Sequence, residues 1–417
     1  MKLNVDLGNN TEQILPLSGR KSISILLGAG FSAPMGYPIG MGLNNGLLNF
    51  EKEPVSFAPS GEMAISTNGQ IPQFQITEIY NFHQKRFEFC KRLIHEYYIA
   101  HNKIFDYEVF YDFIKNRDEA MQEHYQALCQ DLISENENYE SFLYNIDHIY
   151  NQMVAYLLKD KNGKFRYDDE PFKVNNVDGY NGFLQYLSDL SKEYIINIHT
   201  LNHDLLFESF NHTGYINGNL SDGFDEYGSE YFGKLTQNDQ TYHCRLERYK
   251  GRYNTPIRLY KLHGSLDYVP FYRQNKYGFM IPENYVKIKW GIGTGNIMKG
   301  RKSKIGYDIS PFEYHADFLT GTTSKIQRYN EPLLFRKLFK KFRKNLREAE
   351  KLIIIGYGCK DAGINEMIKD NFDYKHKPSF IVDAYAQEGS PVDLFREEIH
   401  AKLHRVQIDD IEKSLFA

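Results

Sequence analysis

The stretch Ser22-Ile-Ser-Ile-Leu-Leu-Gly-Ala-Gly-Phe-Ser-Ala-Pro34 constrains this chain more than any other. Ile23, Ile25, Leu26 and Leu27 form an apolar run too short for a helix, as in a central parallel strand covered on both faces. Gly28 and Gly30 follow at once, where glycine permits a tight turn and brings backbone N–H groups close to a ligand. A strand running into Gly-x-Gly is where open α/β sheets hold dinucleotide phosphates. Gly28-x-Gly30-x-x-Ala33 nearly fits the dinucleotide fingerprint, which also needs a second strand carrying an acid about 20 residues on. Glu51 stands at that distance but within Phe50-Glu-Lys-Glu-Pro54, which is no strand, so an ordinary nicotinamide dehydrogenase is disfavoured. A purely structural turn stays open on this stretch alone.

The rest of the chain supplies the sheet this strand needs. Residues 1–21 read as a polar lead-in, 35–50 open a first crossover helix near Gly40, and 51–73 look irregular. From 76 to 160 the spacing turns helical, with Ile79, Phe82, Phe89, Leu93 and Tyr97 on one run and Phe142, Ile146, Ile149, Met153 and Leu157 on another. That is too long for a crossover, and it predicts a helical subdomain inserted at 76–160 into a single domain spanning 1–417. After an Asp/Asn-rich loop at 160–178, a helix over 180–192 and a buried strand at 194–199 follow. Residues 213–255 read as loop-rich. A strand falls at 257–262, and 270–325 look irregular with a basic loop at 299–304. An amphipathic helix over 331–350 carries Phe335, Leu338, Phe339, Phe342 and Leu346, and strands at 352–355 and 380–382 are separated by one helix. The α/β pattern runs to about 385. Strands alternating with helices predict a doubly wound, mostly parallel, Rossmann-like α/β sheet.

Chemistry gathers at strand ends. The strand at 194–199 runs into Thr200-Leu-Asn-His-Asp204, that at 257–262 into His263-Gly-Ser265, and that at 352–355 into Gly356-Tyr-Gly-Cys-Lys-Asp361 with Asn365 beyond. Ligand crevices in open α/β sheets lie outside the carboxyl ends of strands, so these clusters point into one region with Gly28 and Gly30. Each has a structural alternative. Asn202 or Asp204 can cap the next helix, Asp361 can cap the helix at 362–371, and a lone His263 can be a satisfied buried histidine. Four such clusters at four strand ends are less easily explained that way.

Gly28-Ala-Gly-Phe-Ser32, Thr200-x-Asn202-x-Asp204 and Lys261-Leu-His-Gly264 resemble, in order, the three signature motifs of sirtuins. Gly356-Tyr-Gly358 with Asp361 and Ile364-Asn365 resembles the bacterial sirtuin-like branch. The resemblance runs from about 20 to 385, interrupted by the helical insertion. It implies a sirtuin-like fold and NAD as the substrate. Gly28, Ala29, Gly30, Phe31 and Ser32 would cradle the phosphates, and Asn202 would hold the nicotinamide ribose and an attacking water. Asp204 would face the nicotinamide end, His263 would be the general base, and Gly356, Gly358 and Asp383 would lie under the adenosine half. The chemistry agrees: nicotinamide leaves neutral from a cation, so what remains is to orient a ribose and deprotonate water, a task for histidine.

The departures narrow the activity. Sirtuin deacetylases carry two Cys-x-x-Cys pairs, whereas Cys90, Cys129, Cys244 and Cys359 are scattered, so no zinc module is expected. Leu201 stands where glutamine usually precedes the asparagine. The resemblance then implies an NAD hydrolase of the antiviral-defence kind, depleting NAD, with a protein deacylase or a non-catalytic NAD or ADP-ribose sensor as alternatives. It further implies a homo-oligomer controlled by a separate protein, a HerA-like ATPase first and an argonaute-type protein second. His199-x-x-x-His203 has zinc-ligand spacing but lacks the glutamate of that motif, and no metal site is expected. A net charge of −4 argues against direct nucleic-acid binding, and the six basic residues of 336–344 read as a solvated helix face. With no signal-peptide h-region and no uncharged apolar run of membrane-spanning length, a soluble cytoplasmic protein is expected.

Overall fold

The structure is a computed structural model and describes residues 17–50, 55–57, 63–64, 78–117, 125–165, 176–237, 240–288, 297–299 and 316–416. Residues 1–16 of the polar lead-in, most of 51–73, residues 166–175 of the Asp/Asn-rich loop and 300–304 of the basic loop lie outside the described residues.

In chain order the strands are β1 (Ser22–Leu27), β2 (Ser56–Phe57), β3 (Met63–Ala64), β4 (Ile195–Thr200), β5 (Leu220–Ser221), β6 (Gly223–Asp225), β7 (Tyr231–Gln237) and β8 (Gln240–Arg245). They continue as β9 (Glu247–Arg252), β10 (Ile257–Lys261), β11 (Tyr268–Gln274), β12 (Met280–Lys287), β13 (Ile297–Lys299), β14 (Ala349–Ile355), β15 (Ser379–Val382) and β16 (Lys402–His404). Seven of them form one sheet in the order β16-β15-β14-β1-β4-β10-β5, and every pairing in it is parallel. From β1 the chain builds outward through β4 and β10, then returns to build β14, β15 and β16 on the other side. The order therefore reverses between β1 and β14, the switch point at which open α/β sheets form their crevice.

The register aligns the strand ends. Val382 lies opposite Ile355, Ile355 opposite Leu27, Leu27 opposite Thr200, and Thr200 opposite Lys261. One row thus crosses five adjacent strands, about 19 Å wide at the usual interstrand spacing.

Helices follow the apolar spacing. They are α1 (Ala29–Ser32), α2 (Gly40–Leu48), α3 (Glu78–Ala100), α4 (Tyr107–Asn116), α5 (Tyr139–Phe142), α6 (Ile146–Leu157), α7 (Asn181–Glu193) and α8 (Leu206–Ser209). Beyond them come α9 (Ser324–Arg328), α10 (Phe335–Glu348), α11 (Ala362–Asn371) and α12 (Pro391–Glu398). On one face of the sheet, Ile23, Ile25 and Leu27 meet Phe183, Leu184 and Leu187 of α7. On the other face, Leu26, Leu352 and Ile354 meet Leu338, Phe339, Phe342 and Leu346 of α10 and Ile364 and Ile368 of α11. Each such buried side chain contributes about 1.5–3 kcal/mol, which fixes α10 with its apolar stripe inward and Arg336, Lys337, Lys340 and Lys344 outward. Helices α2 to α6 pack around a third core that includes Leu47, Phe89, Leu93, Phe110, Phe142 and Met153.

Three expectations need correction. Residues 213–255 and 270–325 are not merely loops: β11-β12-β9-β6 form an antiparallel sheet and β13-β7-β8 a smaller one. β8, Gln-Thr-Tyr-His-Cys-Arg, is largely exposed and shows no apolar alternation, whereas β11 buries Val269 and Phe271 on either side of Pro270 in a small core with Tyr231 and Val286. The α/β pattern also runs past 385, because α12 and β16 extend the main sheet.

Candidate active site

The glycine turn sits at the switch point and interlocks with the end of β14. Gly28 N donates to Ile355 O at 3.0 Å, and Gly30 N donates to Gly356 O at 2.8 Å. A Cβ on Gly28 would stand 2.5 Å from Tyr357 Cα, and one on Gly30 would stand 2.9 Å from Gly356 Cα. Gly356 is itself left-handed, at φ +61°, with Phe31 N 2.4 Å from where its Cβ would be. These glycines are thus already required by backbone packing between two strand ends. Gly358 differs, since a Cβ there would meet nothing within 4 Å.

The turn is then tied downward and sideways. Phe31 is buried in the core against Tyr180, Phe183, Phe207 and Phe210, and its carbonyl accepts from Tyr180 Oη at 2.6 Å. Its ring faces the interior, so only its backbone borders the crevice. Ala29 is exposed at the turn, and Ser32 is buried. Asn202, two residues past β4, donates through Nδ2 to Gly28 O at 3.0 Å and to Ser32 Oγ at 2.9 Å. Both amide protons are therefore committed to the turn, and its Oδ1 remains for another donor. Asp204 Oδ1 accepts from Leu206 N at 3.0 Å, a turn contact just ahead of α8, whose N-cap is Leu205. The buried Lys261 ammonium bonds the carbonyl of Asp204 and pairs with Glu208 at 2.9 Å, locking the loop after β4 to the end of β10. At the far end of the row, Asp383 N donates to His404 O, and its carboxylate accepts from Tyr385 N at 2.8 Å.

His263 follows β10 and is buried. Its Nε2 has no hydrogen-bond partner and lies 3.7 Å from Asp361 Oδ2. Burial drives its pKa down to about 3; the Lys325 charge acts in the same sense, and Asp361 opposes both. The imidazole is therefore neutral at physiological pH and able to accept a proton. Asp361 caps α11 by accepting from Ile364 N at 3.2 Å, and it also faces His263. Lys325 Nζ lies 3.0 Å from Asp361 Oδ2 and 3.0 Å from Glu108 Oε1 on α4. Sequence reasoning places Asp361 in a strand-end cluster, with a helix cap as its structural alternative, but gives it no link to His263, and it misses Lys325 and Glu108. No local signal marks either, because they are brought together across 217 residues.

His199 and His203 do not form a pair. His199 packs against Tyr260 and Phe342 on the α10 face of the sheet, whereas His203 lies beside Phe318, with its ring 6.3 Å from that of His263. Among the described residues no group of three or more His, Cys, Asp or Glu could hold a metal ion, and the four cysteines are free. No described helix is long and apolar enough to cross a membrane.

No protein-family model matches the chain, and no curated protein matches it. Solved structures similar to it include a Sir2 enzyme at 12% identity, covering 96% of this chain and 93% of that one with a TM-score of 0.35. A Sir2 homologue in complex with NAD aligns at 11% identity over 96% and 90% with a TM-score of 0.36. A Sir2 homologue variant in complex with ADP-ribose aligns at 11% identity over 92% of each chain with a TM-score of 0.30. At such scores the fold assignment rests on the parallel sheet and its strand order, not on these neighbours.

Proposed function

We propose that this chain is an NAD glycohydrolase: a single sirtuin-like domain, with the helical layer inserted at 76–160, that binds NAD along the strand-end row and hydrolyses its N-glycosidic bond. The row carries the reading. Asp383, Gly356 with Gly358, Gly28 to Ser32, Asn202 and His263 follow one another over five adjacent strands. That is also the order of adenosine, pyrophosphate and nicotinamide ribose in the dinucleotide. Since the N–H groups of Gly28 and Gly30 are engaged by Ile355 and Gly356, the turn offers a close backbone surface beside Ala29 and Ser32 rather than those two donors. Asn202 Oδ1 holds a ribose hydroxyl or the attacking water, and Asp204 stands at the nicotinamide end.

In the reaction the bond between the ribose carbon and the nicotinamide nitrogen breaks, and nicotinamide leaves neutral. Water adds its oxygen to that carbon, its proton passes to neutral His263, and ADP-ribose is released. NAD and water give nicotinamide, ADP-ribose and one proton. The motif resemblance extends the proposal to a homo-oligomeric, cytoplasmic NAD-depleting effector of antiviral defence. Its switch would be a separate HerA-like ATPase or, second, an argonaute-type protein.

The test is incubation of the full chain with NAD alone. Nicotinamide and ADP-ribose are expected in equal amounts. Release only when an acylated peptide is added would replace the hydrolase by a deacylase, and binding without turnover would make the protein a sensor. Light scattering reads the oligomer, since a species larger than one 48.9 kDa chain is expected.

A further inference from the structure

A line of charged groups runs from the helical layer to the candidate base. Glu108 of α4 holds Lys325, Lys325 holds Asp361, and Asp361 stands just out of hydrogen-bond range of His263 Nε2, at 3.7 Å. The side chains of Lys325, Asp361 and His263 are each less than a tenth exposed, at 6%, 7% and 6%. The same Asp361 oxygen accepts from Tyr329 Oη at 3.4 Å, so three groups compete for it. The grip on Lys325 is not incidental. Asp112, one turn along α4 from Glu108, accepts from the backbone N–H groups of Thr322, Thr323 and Ser324 and from the hydroxyls of Thr322 and Thr323. Helix α4 therefore fixes the segment that enters α9 and carries Lys325.

We propose that Asp361 is the carboxylate that orients His263 during catalysis, and that Lys325, held by Glu108, is a positioning residue that draws Asp361 away from His263. The inference rests on the hydrolase reading and deepens it. A carboxylate that accepts from one imidazole nitrogen fixes the ring, leaves the other nitrogen as the proton acceptor and stabilises the imidazolium that forms. Closing the Asp361–His263 gap takes a movement of about 1 Å. While the Lys325 ammonium sits on the same oxygen, Asp361 is drawn the other way and the imidazole stays weakly basic. The groups facing His263 are Asp361 from the loop before α11, Lys325 and Tyr329 from α9 and its end, and His203 from the loop after β4. Glu108 and Tyr107 of α4 and Lys261 of β10 stand behind them. A displacement of α4 thereby reaches the base through Lys325, which makes the helical layer the place where a regulator acts on the site.

The experiment uses the full chain and the variants Lys325→Met, Lys325→Arg and Asp361→Asn, with Lys192→Met on the far helix α7 as a control. Histidine carbon NMR, with the His263 signal assigned by His263→Gln, follows the imidazole against pH. Wild type and Lys325→Arg are expected to keep His263 neutral across the stable pH range, and Lys325→Met to raise its pKa by about one unit or more. In parallel, Asp361→Asn is expected to lower kcat for NAD by about 10²-fold with little change in KM. An unmoved His263 titration in Lys325→Met, or wild-type kcat in Asp361→Asn, overturns the proposal. If Lys325→Met does not fold, Glu108→Gln carries the same arm. Lys325 then binds Asp361 alone, and kcat is expected to fall severalfold; an unchanged kcat counts against the proposal. Failure of wild type to release nicotinamide would instead remove the hydrolase reading, and the titration would still decide whether Lys325 and Asp361 set the state of His263.

Discussion

At the middle of the strand-end row, around β1, Asn202 donates both amide protons into the glycine turn, and Gly28 and Gly30 donate to Ile355 and Gly356 at the end of β14. At the β10 end, His263 Nε2 is buried without a partner and the nearest carboxylate is held by a lysine. The first region is tied together by its own hydrogen bonds, with Asn202 Oδ1 left over. The second leaves a polar atom unsatisfied beside a buried carboxylate and a buried ammonium, at a cost of about 1–3 kcal/mol. The difference separates shape from the proposed reactivity: residues of the first region hold the fold together as they frame the crevice, and those of the second leave a group unsatisfied at some expense of stability, which the proposed chemistry would account for.

The sharpest break in this comparison is a pair of near-isosteric or truncating changes. His263→Gln is expected to reduce NAD turnover by about 10²–10⁴-fold, the worth of a positioned general base, with stability held to within about 1 kcal/mol. Asn202→Ala removes a second donor from the Gly28 carbonyl, which Phe31 N still holds at 2.9 Å, and leaves the buried Ser32 hydroxyl without this donor, so it is expected to cost about 1–3 kcal/mol of stability as well as turnover. Nicotinamide release and urea unfolding read the two effects separately. Wild-type turnover in folded His263→Gln would remove the base assignment. An Asn202→Ala protein as stable as wild type would erase the distinction between the two regions.

Both regions were legible in the sequence to different depths. Apolar runs such as Ile23 to Leu27 and Leu352 to Ile355 announce buried parallel strands because both faces are covered, and Gly, Asn and His at their ends are local signals. The row they form needed the register, which no local pattern encodes. The antiparallel strands β8, β9 and β12 carry mixed polar residues because much of their surface meets solvent, so 213–255 reads as loop-rich and 270–325 as irregular from the sequence. Lys325 and Glu108 were out of reach for another reason. A buried ion pair between distant segments leaves no periodicity, and each residue alone looks like ordinary surface charge.

A middle-sized effect distinguishes packing glycines from one proposed to face the ligand. Gly30→Ala places a Cβ 2.9 Å from Gly356 Cα, backbone against backbone, and is expected to cost about 1–3 kcal/mol whatever binds there. A loss of NAD affinity in that variant therefore says little about phosphates. Gly358→Ala enters open space and is expected to leave the unfolding midpoint unchanged while weakening NAD binding measured by calorimetry. Equal NAD affinity in Gly358→Ala and wild type would move the adenosine half away from the end of β14.

The smallest effect at neutral pH separates two buried histidines. Burial holds His199 to a pKa of about 3; His263 is at about 3 as well, through burial together with the Lys325 charge. In the unfolded chain both return to about 6.5. Above that pH neither state carries the proton, and the histidines do not affect the pH dependence. Below it the unfolded chain binds protons that the folded chain refuses. Stability is then lost by up to about 1.4 kcal/mol per histidine for each pH unit, until the loss levels off near pH 3. His199 lies between Tyr260 and Phe342, and both its ring nitrogens are unpartnered. A phenyl ring satisfies that site better than an imidazole. His199→Phe is expected to match or slightly exceed wild-type stability at pH 7.5, to exceed it by about 2 kcal/mol at pH 5, and to retain NAD turnover. His263→Gln is expected to gain the same acid resistance and lose turnover. Urea midpoints at the two pH values decide the matter: parallel pH slopes in wild type and His199→Phe would mean that His199 does not resist protonation in the folded protein. A loss of turnover in His199→Phe would mean that the α10 face of the sheet reaches the reacting groups after all.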